Sequence, residues 1–196
     1  MGSVPRLTER TRDARRRQIL DAARQCLSRN GFQSTSMQDI FEEAGLSAGA
    51  VYSHFTGKDE IVYAIADEVI EALTAPLYTA DAHGEALSLG DLLGHVFSTL
   101  QKAEITTIAI TFWAEAIRNP GLRRRLSTRY RHVQHDLTRL VRTQQQRGGI
   151  DPEIPAPRVA RVLTSLGPAF LHLCAFDNTV TAKTFTEGVK ALLRQP

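Results

Sequence analysis

An all-α fold is predicted by two features of the sequence. Apolar residues recur at spacings of three and four nearly throughout the 196-residue chain, and no run reads convincingly as a strand. Composition agrees. With 42% hydrophobic and 23% charged residues the chain sits close to the globular norm, which excludes a disordered chain, a collagen-like repeat and a disulfide scaffold. Helix 1 is expected from about Thr11 to Ser28, with Ile19, Leu20, Ala23, Cys26 and Leu27 inward. Asn30-Gly31 stops it, because glycine accepts the left-handed conformation at a helix end. Helix 2 starts near Ser36, with Thr35-x-x-Gln38 read as a capping box, and ends at Ala44-Gly45. A short third helix, about Ser47 to Phe55, follows after two residues. Thr56-x-x-Asp59 reads as a second capping box. It opens a long helix 4 whose face is Ile61, Ile65, Val69 and Leu73, and Pro76 ends that pattern. Asp81 to Ser88 reads as loop. Helix 5 is about Leu89 to Gln101 and helix 6 about Ile105 to Arg118. After the break at Asn119-Pro120, helix 7 runs from Gly121 to Arg147, stopped by Gly148 and Gly149. Helix 8, about Arg158 to Phe176, is apolar on more than one face and must be covered on two sides. Helix 9, about Thr181 to Arg194, carries Phe185, Val189, Leu192 and Leu193 on one stripe. A domain boundary is therefore expected near residue 57, giving residues 1–57 and 58–196.

Charge is unevenly placed. The net charge is +3, but residues 1–29 hold eight Arg against Glu9, Asp13 and Asp21. Residues 118–147 hold nine Arg against Asp136 alone. Clustered arginine suits a polyanion; for 118–147 the plainer reading is a solvated helix face. Twenty Arg beside four Lys is read as a GC-rich codon bias. The longest uncharged stretch, Val162 to Phe176, is 15 residues and contains Gly167 and Pro168, short of the roughly 20 a bilayer span needs. The N-terminus lacks the apolar core of a secretory signal. Cys26 and Cys174 stand alone and read as small hydrophobes. The cytoplasm is the expected location, with no membrane partner. His132 and His135 lack a nearby acid pair, so no metal and no cofactor are expected. Catalysis finds no support: there is no Gly-rich phosphate loop, no HExxH, no GxSxG and no carboxylate or Cys/His constellation, so the chain is not expected to be an enzyme.

Residues 36–55, SMQDIFEEAGLSAGAVYSHF, read as helix, glycine-containing turn, helix. Ile40, Ala44, Leu46, Val51 and Phe55 suit a small core with Ile19, Ala23, Leu27 and Phe32, leaving the second helix to project into a DNA major groove. The spacing of Arg16, Ile19-Leu20, Ala22-Ala23, Asn30-Gly31-Phe32, Thr35, Ile40, Ala44-Gly45-Leu46-Ser47, Gly49-Ala50-Val51-Tyr52, His54-Phe55 and Lys58-Asp59 resembles the signature of TetR-family regulators. The resemblance covers about residues 11–62 specifically and the rest only in outline.

That resemblance implies an N-terminal three-helix reading domain and a C-terminal bundle for ligand binding and dimerisation, about nine helices in all. It places Thr35 and Ser36 at a phosphate, Ser47 as cap of the recognition helix, and Tyr52, His54 and Lys58 at further phosphates. Ala48, Gly49, Ala50 and Ser53 face the bases, and Gln38 adds a contact. These are weak base readers, so specificity leans on DNA shape and on the N-terminal arginines, with Arg6 and Arg10 suited to a minor groove. The implied function is a ligand-responsive repressor. Its homodimer, joined through helices 8 and 9, would hold a palindromic operator until a small hydrophobic effector binds. Pocket candidates are Phe97, Leu100, Thr107, Ile108, Thr111, Phe112, Trp113, Glu115, Tyr130, Phe170 and His172; Glu115 could instead pair with an arginine of helix 7. The competing readings are an effector-independent DNA-binding regulator and an all-α enzyme or carrier.

Overall fold

The computed structural model describes residues 5–83 and 87–193. The described residues form nine helices and no strand, the all-α architecture expected. Contacts divide them into two compact units. One holds the chain up to Glu68 together with Thr107–Leu122, and the other holds Val69–Thr106 and the chain from Arg123 onward.

In the first unit, α1 (Pro5–Ser34) is longer than expected, but it breaks where the sequence said it would: Gly31 has φ 74 and ψ 175. The Arg6 side chain lies outside the described residues. α2 (Met37–Ala44) is capped one residue later than expected. Ser36, not Thr35, is the N-cap, and Asp39, not Gln38, closes the box: the Ser36 hydroxyl accepts from the Asp39 amide while the Asp39 carboxylate accepts from the Ser36 amide. α3 (Ala48–Tyr52) is shorter than expected, because the His54 amide donates back to Val51 in a tightened last turn. Ile19, Leu20, Ala23, Leu27, Phe32, Ile40, Ala44, Val51 and Phe55 are buried together with Ile61, Ile65, Ile108, Phe112 and Leu122; Leu46 is half-buried.

α4 (Lys58–His83) starts in the first unit and continues in the second. Its start is held by Glu60, not Asp59: the Glu60 carboxylate accepts from the Thr56 amide and hydroxyl at 2.7 and 2.8 Å. Pro76 does not end it, and the helix occupies the first part of what was read as loop; residues 84–86 lie outside the described residues. A proline has no N–H for the carbonyl four residues back. That carbonyl belongs to Ala72, and Nε2 of His95, from α5, lies 2.7 Å from it. The imidazole thus supplies the bond that the proline removes.

In the second unit, Ser88 caps α5 (Leu89–Leu100) through the Asp91 amide. α6 (Ala103–Arg118) begins there and continues in the first unit. α7 (Pro120–Gln146) opens on proline, whose missing N–H is harmless at a first helical position, and Gly148 (φ 74) follows its end. α8 (Ala156–Phe176) and α9 (Ala182–Leu193) complete the bundle. Its centre is a ring cluster. Phe97, Phe170 and Phe185 stand with centroids 4.8–5.3 Å apart, in tilted and edge-on arrangements favoured by the ring quadrupole. Cys26 is buried and Cys174 half-buried; burial pushes both thiols up, consistent with packing roles. By length and composition alone α8 could cross a bilayer, although the count of uncharged residues falls short of a span.

Candidate nucleic-acid interface

The turn between α2 and α3 follows from local chemistry. Gly45 takes φ 62 and ψ 33, the left-handed conformation that ends α2, and its amide donates to the Glu42 carbonyl at 3.1 Å. The Leu46 amide donates to Phe41, closing the last turn. Gln18 Nε2 ties the Ala44 carbonyl to α1 at 2.7 Å. Ser47 then caps α3, its hydroxyl accepting from the Ala50 amide at 3.3 Å. Val51 is fully buried and Phe55 nearly so, which fixes the rotation of α3 about its axis. The opposite face is left open. Ala48, Gly49 and Ser53 are exposed, and Ala50 and His54 are half-buried. Nothing lies within 4 Å of where a Gly49 Cβ would sit. Tyr52 is 52% exposed, and its ring meets Phe41 edge-on at 5.5 Å, so its orientation is held by α2.

The polar candidates are placed less uniformly. Ser36 is exposed, but its amide and hydroxyl both donate to the Asp39 carboxylate. Those bonds, the amide first, hold the Asp39 carboxyl below its ordinary range. Thr35 offers no free hydroxyl: it is buried, and its Oγ1 donates to the Gly31 carbonyl at 2.8 Å. Gln38 is exposed and donates to Glu42 at 2.7 Å. Lys58 does not extend outward. Its ammonium donates to the Phe32 and Thr35 carbonyls at 2.8 and 2.7 Å and lies 4.6 Å from the Phe32 ring centroid. It braces the junction between the end of α1 and the start of α2, a role the sequence reading missed.

The N-terminal arginine cluster is partly neutralised from within. Arg16 and Arg24 both bond the Glu68 carboxylate, Arg16 also lies 5.4 Å from the Phe55 ring, and Arg29 pairs with Glu43. Arg10, Arg12, Arg15 and Arg17 are exposed.

The pocket candidates divide between the two units. In the first, Ile108 and Phe112 are buried, Thr107 and Trp113 are half-buried, and the Thr111 hydroxyl donates to the Thr107 carbonyl. Glu115 is buried and accepts from Gln33 of α1 at 3.0 and 3.1 Å, in place of the helix 7 arginine considered for it. In the second, Phe97, Leu100 and Phe170 are packed core and Tyr130 is half-buried. His172 faces outward, exposed, with its ring tilted 51° to that of Phe176 at a centroid distance of 4.9 Å, because the inward side of that turn of α8 belongs to Phe170 and Leu171. No group of three His, Cys, Asp or Glu residues suited to a metal occurs among the described residues.

Residues 19–65 match the family described as bacterial regulatory proteins, tetR family, and residues 88–167 match the C-terminal region of BetI-type transcriptional repressors. The transcriptional regulator UidR of Escherichia coli K12 is 26% identical over 180 residues, covering 91% of this chain and 90% of that protein. The nicotine-responsive transcriptional repressor HdnoR of Paenarthrobacter nicotinovorans is 29% identical over 154 residues, covering 76% and 77%. Among solved structures, Salmonella enterica GusR superposes with a TM-score of 0.78 at 26% identity, covering 92% of this chain and 93% of that one.

Proposed function

Since this chain belongs to the TetR family of helix-turn-helix transcriptional regulators, and is a regulator rather than an enzyme, we propose that it is a ligand-responsive repressor acting as a homodimer on a palindromic operator. The observation that carries the proposal is the open face of α3. Ala48, Gly49, Tyr52 and Ser53 stand outward on a helix whose other side is locked by Val51. With no long side chain ahead of Gly49, the α3 backbone approaches base edges closely, and contact is by methyl groups, the Ser53 hydroxyl and DNA shape. Tyr52 and His54 reach phosphates. Residues 1–57 form the reading part, and residues 58–196 the ligand-binding and dimerisation part.

Exposed apolar side chains support a second copy of the chain as partner of α8 and α9. Val162 is 61% exposed, Phe176 80% and Leu192 80%. A self-complementary four-helix contact would cover them, and it would also account for the apolar character of α8 without a membrane. Such a dimer sets two recognition helices on half-sites about one DNA turn, ~34–36 Å, apart or somewhat more. A small hydrophobic effector, held by residues of the bundle, would release the DNA by binding the DNA-incompetent state more tightly; equal affinity for both states would shift nothing. The chain would act in the cytoplasm.

Fluorescence polarisation on the DNA upstream of the chain's own gene tests the reading. Tyr52→Ala is expected to weaken binding about tenfold, the equivalent of ~1.4 kcal/mol. A hydrophobic effector found by thermal-shift screening should raise the dissociation constant for DNA. Effectors that bind without changing DNA affinity would remove ligand response from the proposal and leave a constitutive regulator.

A further inference from the structure

α7 holds seven arginines and one acid, and the reading head makes no use of them. With about 100° of rotation per residue, Arg124, Arg131, His135 and Arg142 fall along one line of the helix, and all four are exposed. At about 1.5 Å rise per residue, the line from Arg124 to Arg142 spans ~27 Å. Arg124 and Arg142 have no ion-pair partner among the described residues, and Arg131 donates only to the Thr128 hydroxyl. The single acid, Asp136, accepts from the Tyr78 hydroxyl at 3.1 Å through one carboxylate oxygen, and the other lies 3.5 Å from Nδ1 of His135, so the acid touches the line at His135 and at none of its three arginines. Exposed positions flanking the line include the uncharged hydrogen-bonding residues Ser127, Thr128 and Gln146, and a further arginine, Arg139. Leu126, Leu137 and Val141 are buried.

We infer that this stripe is a second polyanion-binding surface, one that takes the phosphate backbone of duplex DNA without reading its sequence. The composition selects that partner. Protein docking draws its affinity from aromatic or aliphatic anchors set in pockets, and the stripe has none. Single strands are held by stacking bases on aromatic rings; the line itself carries no Phe, Tyr or Trp, Tyr130 is half-buried, and the exposed Tyr78 has its hydroxyl committed to Asp136. Charge with neutral hydrogen-bonding flanks is the pattern that contacts phosphates and leaves bases unread. The surface is separate from α3 and does not depend on the operator assigned to it.

The test uses the full chain and a fluorescent 30-base-pair duplex of random sequence, so that the reading head contributes equally to every protein. The variant is Arg124→Gln/Arg131→Gln/Arg142→Gln, with the three Arg→Lys changes as a charge-preserving control. Each phosphate neutralised adds about 0.9 to the salt slope. Between 50 and 200 mM salt, the wild type should therefore lose about 40-fold more affinity than the glutamine variant. The lysine control should follow the wild type. Circular dichroism and thermal unfolding of the variant should match the wild type, since the replaced groups are exposed. Equal salt dependence in wild type and glutamine variant overturns the inference. So does a variant that keeps its duplex binding but loses binding to vesicles of phosphatidylserine and phosphatidylcholine, which would assign the stripe to an anionic lipid surface.

Discussion

The five-residue α3 and the 27-residue α7 expose faces of opposite chemistry. The α3 face is two alanines, a glycine, a tyrosine and the serine that follows, with no charge. The α7 face is mostly arginine. An uncharged face acts only at contact, because dispersion and hydrogen bonds fade within a few ångströms. A charged face acts across a Debye length, about 8 Å at physiological salt. The supports differ accordingly. α3 is held at its start by Ser47, along its length by buried Val51 and before its start by the left-handed Gly45, and Lys58 braces the junction beneath α2. Arg124, Arg131 and Arg142 of α7 have no comparable bracing among the described residues. Placement to within an ångström requires caps and buried anchors, whereas a charged stripe needs only a helix that presents it.

Removing an anchor should break this contrast most severely. Ile40 of α2 is fully buried, as is Val51 of α3. Ile40→Ala deletes apolar volume and leaves a cavity, at a cost of about 2–5 kcal/mol. Urea unfolding should show that loss, and duplex binding by the head should fall with it. An unchanged unfolding midpoint would mean that the position of α3 does not depend on this core.

Lys58→Met tests whether a cation in the first unit supports the fold or touches DNA. The ammonium bonds two backbone carbonyls, and removing it should destabilise the chain by about 2 kcal/mol. The salt dependence of DNA binding should not change. The opposite result, intact stability with a salt slope lowered by about 1, would make Lys58 a phosphate contact.

Much of the reading head was legible in the sequence because its rules are local. The positive φ at Gly45, the cap at Ser47 and the inward set Ile40, Val51 and Phe55 follow from neighbours a few residues apart. Thr35 qualified as a cap by residue type, but the cap is decided by backbone conformation, and the extended residue before α2 is Ser36. The carbonyl contacts of Lys58 were not legible because its partners are 26 and 23 residues away. Pro76 was misread for the same kind of reason. It obeys the rule that proline breaks a helix until an imidazole 23 residues from the orphaned carbonyl takes the missing place. In α8, apolar residues occur on several faces, so periodicity could not separate the core-facing Phe170 from the outward His172. The pocket was the least legible part, since core residues and ligand-lining residues are chemically the same kind.

The smallest expected effect separates the two faces by pH. The Asp39 carboxylate accepts from the Ser36 amide and hydroxyl, which lowers its pKa in the folded chain. The folded state therefore binds this proton less readily than the unfolded state, where the group titrates near pH 3.9. Its stabilising contribution is complete above that value and is lost as the pH falls through the lower, folded value. Asp39→Asn should lower the urea midpoint by a constant amount above pH 5, and the gap from wild type should close as the pH drops below about 4. Parallel curves down to pH 2.5 would remove Asp39 from the acid limb. A guanidinium group is not a titrating group in this range of pH. Acid should therefore loosen the capped base of the reading head while leaving the guanidinium charges of the stripe in place, as expected if geometry sustains one face and charge the other.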